Sequence, residues 1–208
     1  MSDSPLPIKV GAVVFEGFEL LDLFGPLEMF GMLKEKVVIS VVAETPGPVR
    51  SIQGPACVAE TGLGGPETFD VLLVPGGMGT RREVENGAFI TALGAHCERA
   101  FYVASVCTGS ALLARAGVLD GRRATSNKFA FKWVVSQGPR VEWVPKARWV
   151  EDGKFFTSSG VSAGMDMALG LIAHVFDKET SLRVANWAEY TWQEDKDRDP
   201  FAALNGLA

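Results

Sequence analysis

Short, wholly apolar runs recur along this chain, each followed by a segment of helical periodicity, and that alternation leaves few architectures open. Residues 9–15 (KVGAVVF), 37–43 (VVISVVA), 69–75 (FDVLLVP) and 101–106 (FYVASV) read as strands buried on both faces. Apolar residues at helical spacing predict helices over 20–33, with Pro26 in the first turn, over 86–99, and over 108–116, ended by Gly117. A turn at Pro46, Gly47 and Pro48 precedes an expected small hairpin over 49–60. Residues 141–158 carry two further strands, broken at Glu151, Asp152 and Gly153, and helices over 163–176 and 178–190 complete the pattern. Strands alternating with helices pair in parallel and need helices on both faces. The expected fold is therefore α/β, a mostly parallel central sheet with helices on both faces, forming a single domain over residues 1–208. Glu194–Asp199 reads as a solvated segment near the C-terminus.

Composition narrows the functional classes. The 208 residues are 47% hydrophobic and 22% charged, enough apolar material for a full core. The net charge of −5 and the lack of a basic stripe argue against nucleic acid as a partner. No apolar stretch is long enough for a membrane span, and the N-terminal MSDSPLPIKV does not read as a secretory signal. Cys57, Cys97 and Cys107 form no disulfide framework, so a reducing, cytoplasmic setting is expected. Two histidines without metal-ligand spacing imply no metal site, and no cofactor motif stands out; Gly77-x-Gly79 lacks the third glycine of a dinucleotide loop, where Arg82 stands instead.

The strongest chemical signal is SVCTGSALL, which sets Cys107 between a buried strand and a helix with Gly109 two residues on. This resembles a nucleophile elbow, where a strained turn presents the reactive atom to a cleft. A helix N-terminus beside the thiol favours thiolate. The alternative is an inert core cysteine, which is how Cys57 and Cys97 are read. In open α/β sheets reactive groups gather at the carboxyl ends of strands, which selects Asp22, Gly76–Gly77, Cys107 and 158–164. His96 and His174 fall within helical patterns away from those ends, so a carboxylate is the better partner for the thiol. Asp22, in LLDLFGP, is either a helix cap or an acid whose apolar surroundings raise its pKa. The paired glycines Gly76 and Gly77 can turn backbone N–H groups to the cleft, and the amides of Gly77 and Thr108 are expected to make an oxyanion hole.

LLDLFGPLEMF, VLLVPGG, ASVCTGSALLARAGVLDGRRAT and SSGVSAGMDMALGLIA together resemble the ThiJ/PfpI superfamily, relatives of class I glutamine amidotransferases, over about residues 8–201. The resemblance implies a flavodoxin-like sandwich, a homodimer, a small-molecule substrate, and Cys107 as nucleophile with oxyanion amides from Gly77 and Thr108. Thr108 after the cysteine, and aspartate rather than glutamate near the first strand, resemble the isonitrile hydratase branch. That branch implies attack by Cys107 on the isocyanide carbon, Asp22 as general acid and base, Thr108 holding thiolate and acid, and Gly160 and Val161 lining the pocket. One departure stands out: relatives often read Thr-Thr-His-Trp where this chain has Ala124, Thr125, Ser126, Asn127 and Lys128. A glyoxalase- or deglycase-like activity on reactive carbonyls, or a sensor whose Cys107 oxidises to a sulfinic acid, are the alternatives. The ligand-sensing part of a transcription regulator is not expected, because the chain ends at Ala208 without a DNA-binding module.

Overall fold

The computed structural model describes residues 7–207, so most of the segment read as lacking a secretory signal lies outside the described residues. In chain order the elements begin with β1 (Ile8–Val13), α1 (Leu20–Gly31), β2 (Val37–Ala43), β3 (Gly47–Arg50), β4 (Ala56–Ala59) and β5 (Thr61–Gly62). Then come β6 (Val71–Val74), α2 (Thr80–Glu83), α3 (Gly87–Arg99), β7 (Tyr102–Ser105), α4 (Gly109–Arg115), β8 (Arg123–Ala124) and α5 (Phe131–Gln137). The chain closes with β9 (Glu142–Trp143), β10 (Trp149–Asp152), β11 (Phe155–Ser158), α6 (Ala163–Val175), α7 (Lys178–Trp187) and α8 (Pro200–Leu204).

Seven strands form one sheet in the order β10-β11-β7-β6-β1-β2-β5, parallel throughout except for the β10–β11 hairpin. From the centre, β1 steps through α1 to β2 on one side, and β6 steps through α3 to β7 on the other. Right-handed crossovers put those two helices on opposite faces. On one face α6 packs against α1 and α7 against α6; on the other α4 packs against α3 and α5 against α4. The winding reverses between β1 and β6, and the loops leaving their carboxyl ends diverge there to open a crevice.

The apolar runs behave as their composition dictates. Val10, Ala12 and Val13 of β1, Leu72, Leu73 and Val74 of β6, and Val103 and Ala104 of β7 are wholly buried. β2 is different because β5 pairs only with Val42 and Ala43, leaving its first half an open edge where Val38 is exposed. Among the described residues no helix is long and apolar enough to cross a membrane.

Several expectations need correction. Pro26 sits inside α1 rather than in its first turn, since the helix already begins at Leu20; the carbonyl of Asp22 therefore receives no N–H from it. Gly47 and Pro48 belong to β3, which pairs with β4 from Gly47↔Ala59 to Arg50↔Ala56; a proline is tolerated in this two-stranded ribbon, which has free edges. Most of Glu194–Asp199 is exposed as expected, with Asp199 buried, and the chain just before it is anchored. Asp166 of α6 accepts from Arg148 Nε (2.7 Å), the Tyr190 hydroxyl (3.0 Å) and the Gln193 N–H (2.9 Å), and Arg148 N–H donates to the Lys196 carbonyl (2.8 Å). The tail is thereby tied to the β10 end of the sheet.

Candidate active site

Cys107 follows β7 on a turn whose φ of 57° lies in the left-handed region. For a residue with a side chain that conformation costs about 1–2 kcal/mol. Backbone bonds on both sides hold it there. The Cys107 N–H is shared between the carbonyls of Ser158 (3.2 Å) and Ser159 (3.1 Å), and its own carbonyl accepts from Ser126 Oγ (2.8 Å) and Ser110 Oγ (3.2 Å). Any side chain at position 109 would overlap the Val74 carbonyl, which is why glycine stands beneath the turn.

Asp22 is not the cap of α1. Glu19 holds that position, and the Asp22 carboxylate, fully buried in the first turn, points toward the elbow. Its Oδ2 accepts the Gly76 N–H at 2.9 Å, while Oδ1 is buried with no hydrogen-bond partner. The thiol of Cys107 lies beside this carboxyl, and each affects the other's titration. Burial pushes the Asp22 carboxyl from 3.8 to about 7, against the pull of the Gly76 N–H and with help from the charge of Glu19. Burial likewise pushes the Cys107 thiol well up, and the Asp22 charge adds to it, while the Thr108 N–H and the Asn127 side chain act in the opposite sense. The helix N-terminus expected to favour thiolate is that of α4, which has seven residues, and burial of the sulfur acts against it.

The expected pairing of Gly77 and Thr108 amides also needs correction. The Gly77 N–H donates to Thr108 Oγ1 (3.0 Å) instead of opening to the cleft, and only the Thr108 N–H faces the sulfur. Gly77 has φ of 125°, reachable only by glycine, and this turn directs its amide at the hydroxyl. Gly76 is required for space, since a Cβ there would stand 2.6 Å from Thr108 N and 2.8 Å from Asp22 Oδ2.

Gly160 and Val161 follow β11 and line a cleft of about 270 Å³ together with Asn127, Phe129 and Phe201. Val161, β-branched yet at φ of 47°, is a second strained residue beside the elbow. A Cβ on Gly160 would overlap the Asn127 Nδ2 atom. Gly160→Ala is therefore expected to swing the Asn127 amide away from Cys107 and lower kcat by ~10-fold while changing stability by ~1 kcal/mol or less. Steady-state kinetics beside a thermal melt checks this, and an unchanged kcat would refute it.

The sequence profile of the DJ-1/PfpI family matches residues 8–174. The chain belongs to the DJ-1/PfpI family. A family member of similar sequence is the isonitrile hydratase of Pseudomonas putida, 33% identical over 186 residues, which are 89% of this chain and 79% of that protein. A deglycase of Pyrococcus horikoshii is 37% identical over 93 residues, 45% of this chain and 54% of its own. Among solved structures, a ThiJ/PfpI family protein from Pseudomonas syringae superposes with a TM-score of 0.82 at 32% identity, over 93% of this chain and 77% of that one.

Within this DJ-1/PfpI fold the structure brings Asp22, Gly76, Cys107 and Thr108 into contact range at the carboxyl ends of β1, β6 and β7, with Gly160 and Val161 one layer away. Neither histidine joins them. His96 is buried in α3 against the Leu63 carbonyl (2.6 Å), and His174 in α6 pairs with Glu151 (3.0 Å). Among the described residues no group of three or more His, Cys, Asp and Glu side chains could hold a metal ion. Sequence reasoning did not assign roles to Ser126, which holds the elbow carbonyl, or to Asn127, whose amide faces the sulfur. Both lie in the stretch Ala124–Lys128, which stood out in the sequence only as a departure from the pattern of the family it resembles.

Proposed function

We propose that this protein is a hydratase that adds water to an isocyanide, giving an N-substituted formamide through a thioimidate on Cys107. The observation that carries the reading is the buried Asp22 carboxyl, raised to about 7, with its Oδ1 unpartnered beside the Cys107 thiol and no histidine at hand. An acid that titrates near neutrality can both take and return a proton. The isocyanide carbon accepts two partners in one addition. The sulfur forms the C–S bond while its proton passes through Asp22 to the same carbon, leaving R–N=CH–S–enzyme. Asp22 then takes a proton from water as the oxygen adds to that carbon and passes it to the nitrogen, leaving the hydroxyl proton to return to the sulfur. The C–S bond breaks, the sulfur regains its proton, and R–NH–CHO leaves. The Thr108 N–H and the Asn127 amide steady the sulfur as it gains and loses charge.

A second reading is favoured by the deglycase relative: the same thiol adding to an aldehyde carbonyl, with Asp22 protonating the oxygen. Both readings share a small-molecule substrate, no cofactor, a cytoplasmic setting and a homodimer. Purified protein offered an alkyl isocyanide and methylglyoxal in parallel separates them. Formamide production, with a substrate-mass adduct on the Cys107 peptide after acid quench, is the expected result. Turnover of methylglyoxal with no formamide would transfer the assignment to the second reading.

A further inference from the structure

Arg81 lies in α2, shortly after the Gly76–Gly77 pair that follows β6. Its guanidinium carbon stands 4.2 Å from the ring centroid of Trp133 of α5, so the cation sits over an aromatic face. Nη1 donates to the Gly77 carbonyl and the Thr80 hydroxyl, both at 3.3 Å, long for such bonds. These two groups surround the Thr108 hydroxyl, which lies 3.2 Å from Thr80 Oγ1 and accepts the Gly77 N–H. The guanidinium therefore borders the elbow. Burial lowers its pKa, and a charge on Cys107 acts in the opposite sense.

Arg82 pairs with Glu83, but among the described residues no carboxylate forms an ion pair with Arg81. A half-buried guanidinium has five N–H donors, and here only Nη1 is engaged, by two neutral oxygens. Its place over the Trp133 ring withdraws it in part from water without neutralising it. Such a group gains most from a planar anion that accepts from its fork. A merely structural contact between α2 and α5 would not need a charge without a counter-ion next to a reactive thiol.

We propose that Arg81 anchors an anionic group, a carboxylate carried by the substrate, beside the carbon that Cys107 attacks. The substrate class is then a carboxylate-bearing electrophile, and Arg81 is a specificity-determining residue. This rests on the reading of Cys107 as the reacting atom, though not on the identity of the reaction.

Iodoacetate and iodoacetamide test it directly, because they share a leaving group and size but carry a carboxylate in one case and a neutral amide in the other next to the reacting carbon. With either reagent the Cys107 sulfur forms a C–S bond, iodide leaves with the C–I pair, and the thiol proton is lost to base. Labelling is read by mass spectrometry on the Cys107 peptide, which separates it from Cys57 and Cys97. The iodoacetate-to-iodoacetamide rate ratio is expected to be ~10-fold higher in the wild type than in Arg81→Met, with Arg81→Lys between them. On the wild type alone, acetate is expected to slow iodoacetamide labelling and acetamide is not. Equal ratios in the wild type and Arg81→Met, equal effects of acetate and acetamide, or no labelling of native Cys107 by either reagent would overturn the proposal. A shifted ratio in a protein that hydrates no isocyanide would leave the anchor standing and remove only the proposed reaction.

Discussion

Asp22→Asn is expected to make the protein more stable and almost inactive. The carboxyl is fully buried, and its pKa in the folded chain is about 7 against 3.8 when solvated. The folded state therefore prefers the protonated acid. The stability this contributes is fully present below about pH 3.8 and is lost as pH rises through about 7. At mildly alkaline pH the buried carboxylate costs up to ~4 kcal/mol relative to the protonated form. Asparagine is neutral at every pH and its Oδ1 can still accept the Gly76 N–H. The gain from Asp22→Asn is thus expected to grow by ~2–3 kcal/mol between about pH 5 and pH 8. The same change removes the proton relay, and kcat is expected to fall by ~10³-fold. Urea titrations of both proteins across this range, with formamide assays beside them, check the two halves together. A stability difference that stays flat with pH would mean that Asp22 titrates as an ordinary surface acid.

How far the sequence could lead is decided by the range of the forces involved. A strand buried on both faces must be apolar at every position, so β1, β6 and β7 are visible as continuous runs. The elbow is visible for the same local reason: a buried strand, Cys107, and a glycine at 109 that alone tolerates the Val74 carbonyl. β5 and β8, of two residues each, carry no period to detect. α2 and α5 are short helices held by packing against α4 rather than by a pattern of their own. At the site, proximity of Asp22 to Cys107 followed from the strand-end rule, whereas the state of the pair did not. Whether the thiol keeps its proton depends on desolvation by the whole core weighed against the Thr108 N–H and Asn127. The direction of the Gly77 amide hung on one φ angle and on a hydroxyl 31 positions away. Arg81 carries no signal of its own in the sequence, because its aromatic partner, Trp133, arrives from a distant helix.

Cys107→Ala is expected to abolish turnover, by ~10⁴-fold or more, while leaving the fold intact. The elbow does not depend on the sulfur. Its N–H is held by Ser158 and Ser159 and its carbonyl by Ser126 and Ser110, and alanine keeps all four of those bonds at the same φ of 57°. Removing one buried sulfur is expected to change stability by ~1–2 kcal/mol, well below what unfolds a domain of this size. The informative contrast is with Asp22→Asn. Burial is the main cause of the raised Asp22 pKa, and the neighbouring thiol acts to lower it. Cys107→Ala should therefore still lose stability as pH rises toward neutrality, over a range at least as high as in the wild type, even though it turns nothing over. Asp22→Asn should lack that slope altogether. If the two groups act as one proton-transfer unit, the double variant will be no less active than Cys107→Ala alone, because the second substitution removes a partner that no longer has a task. A double variant whose residual rate falls by the product of the two single losses would mean that Asp22 serves the reaction independently of the sulfur.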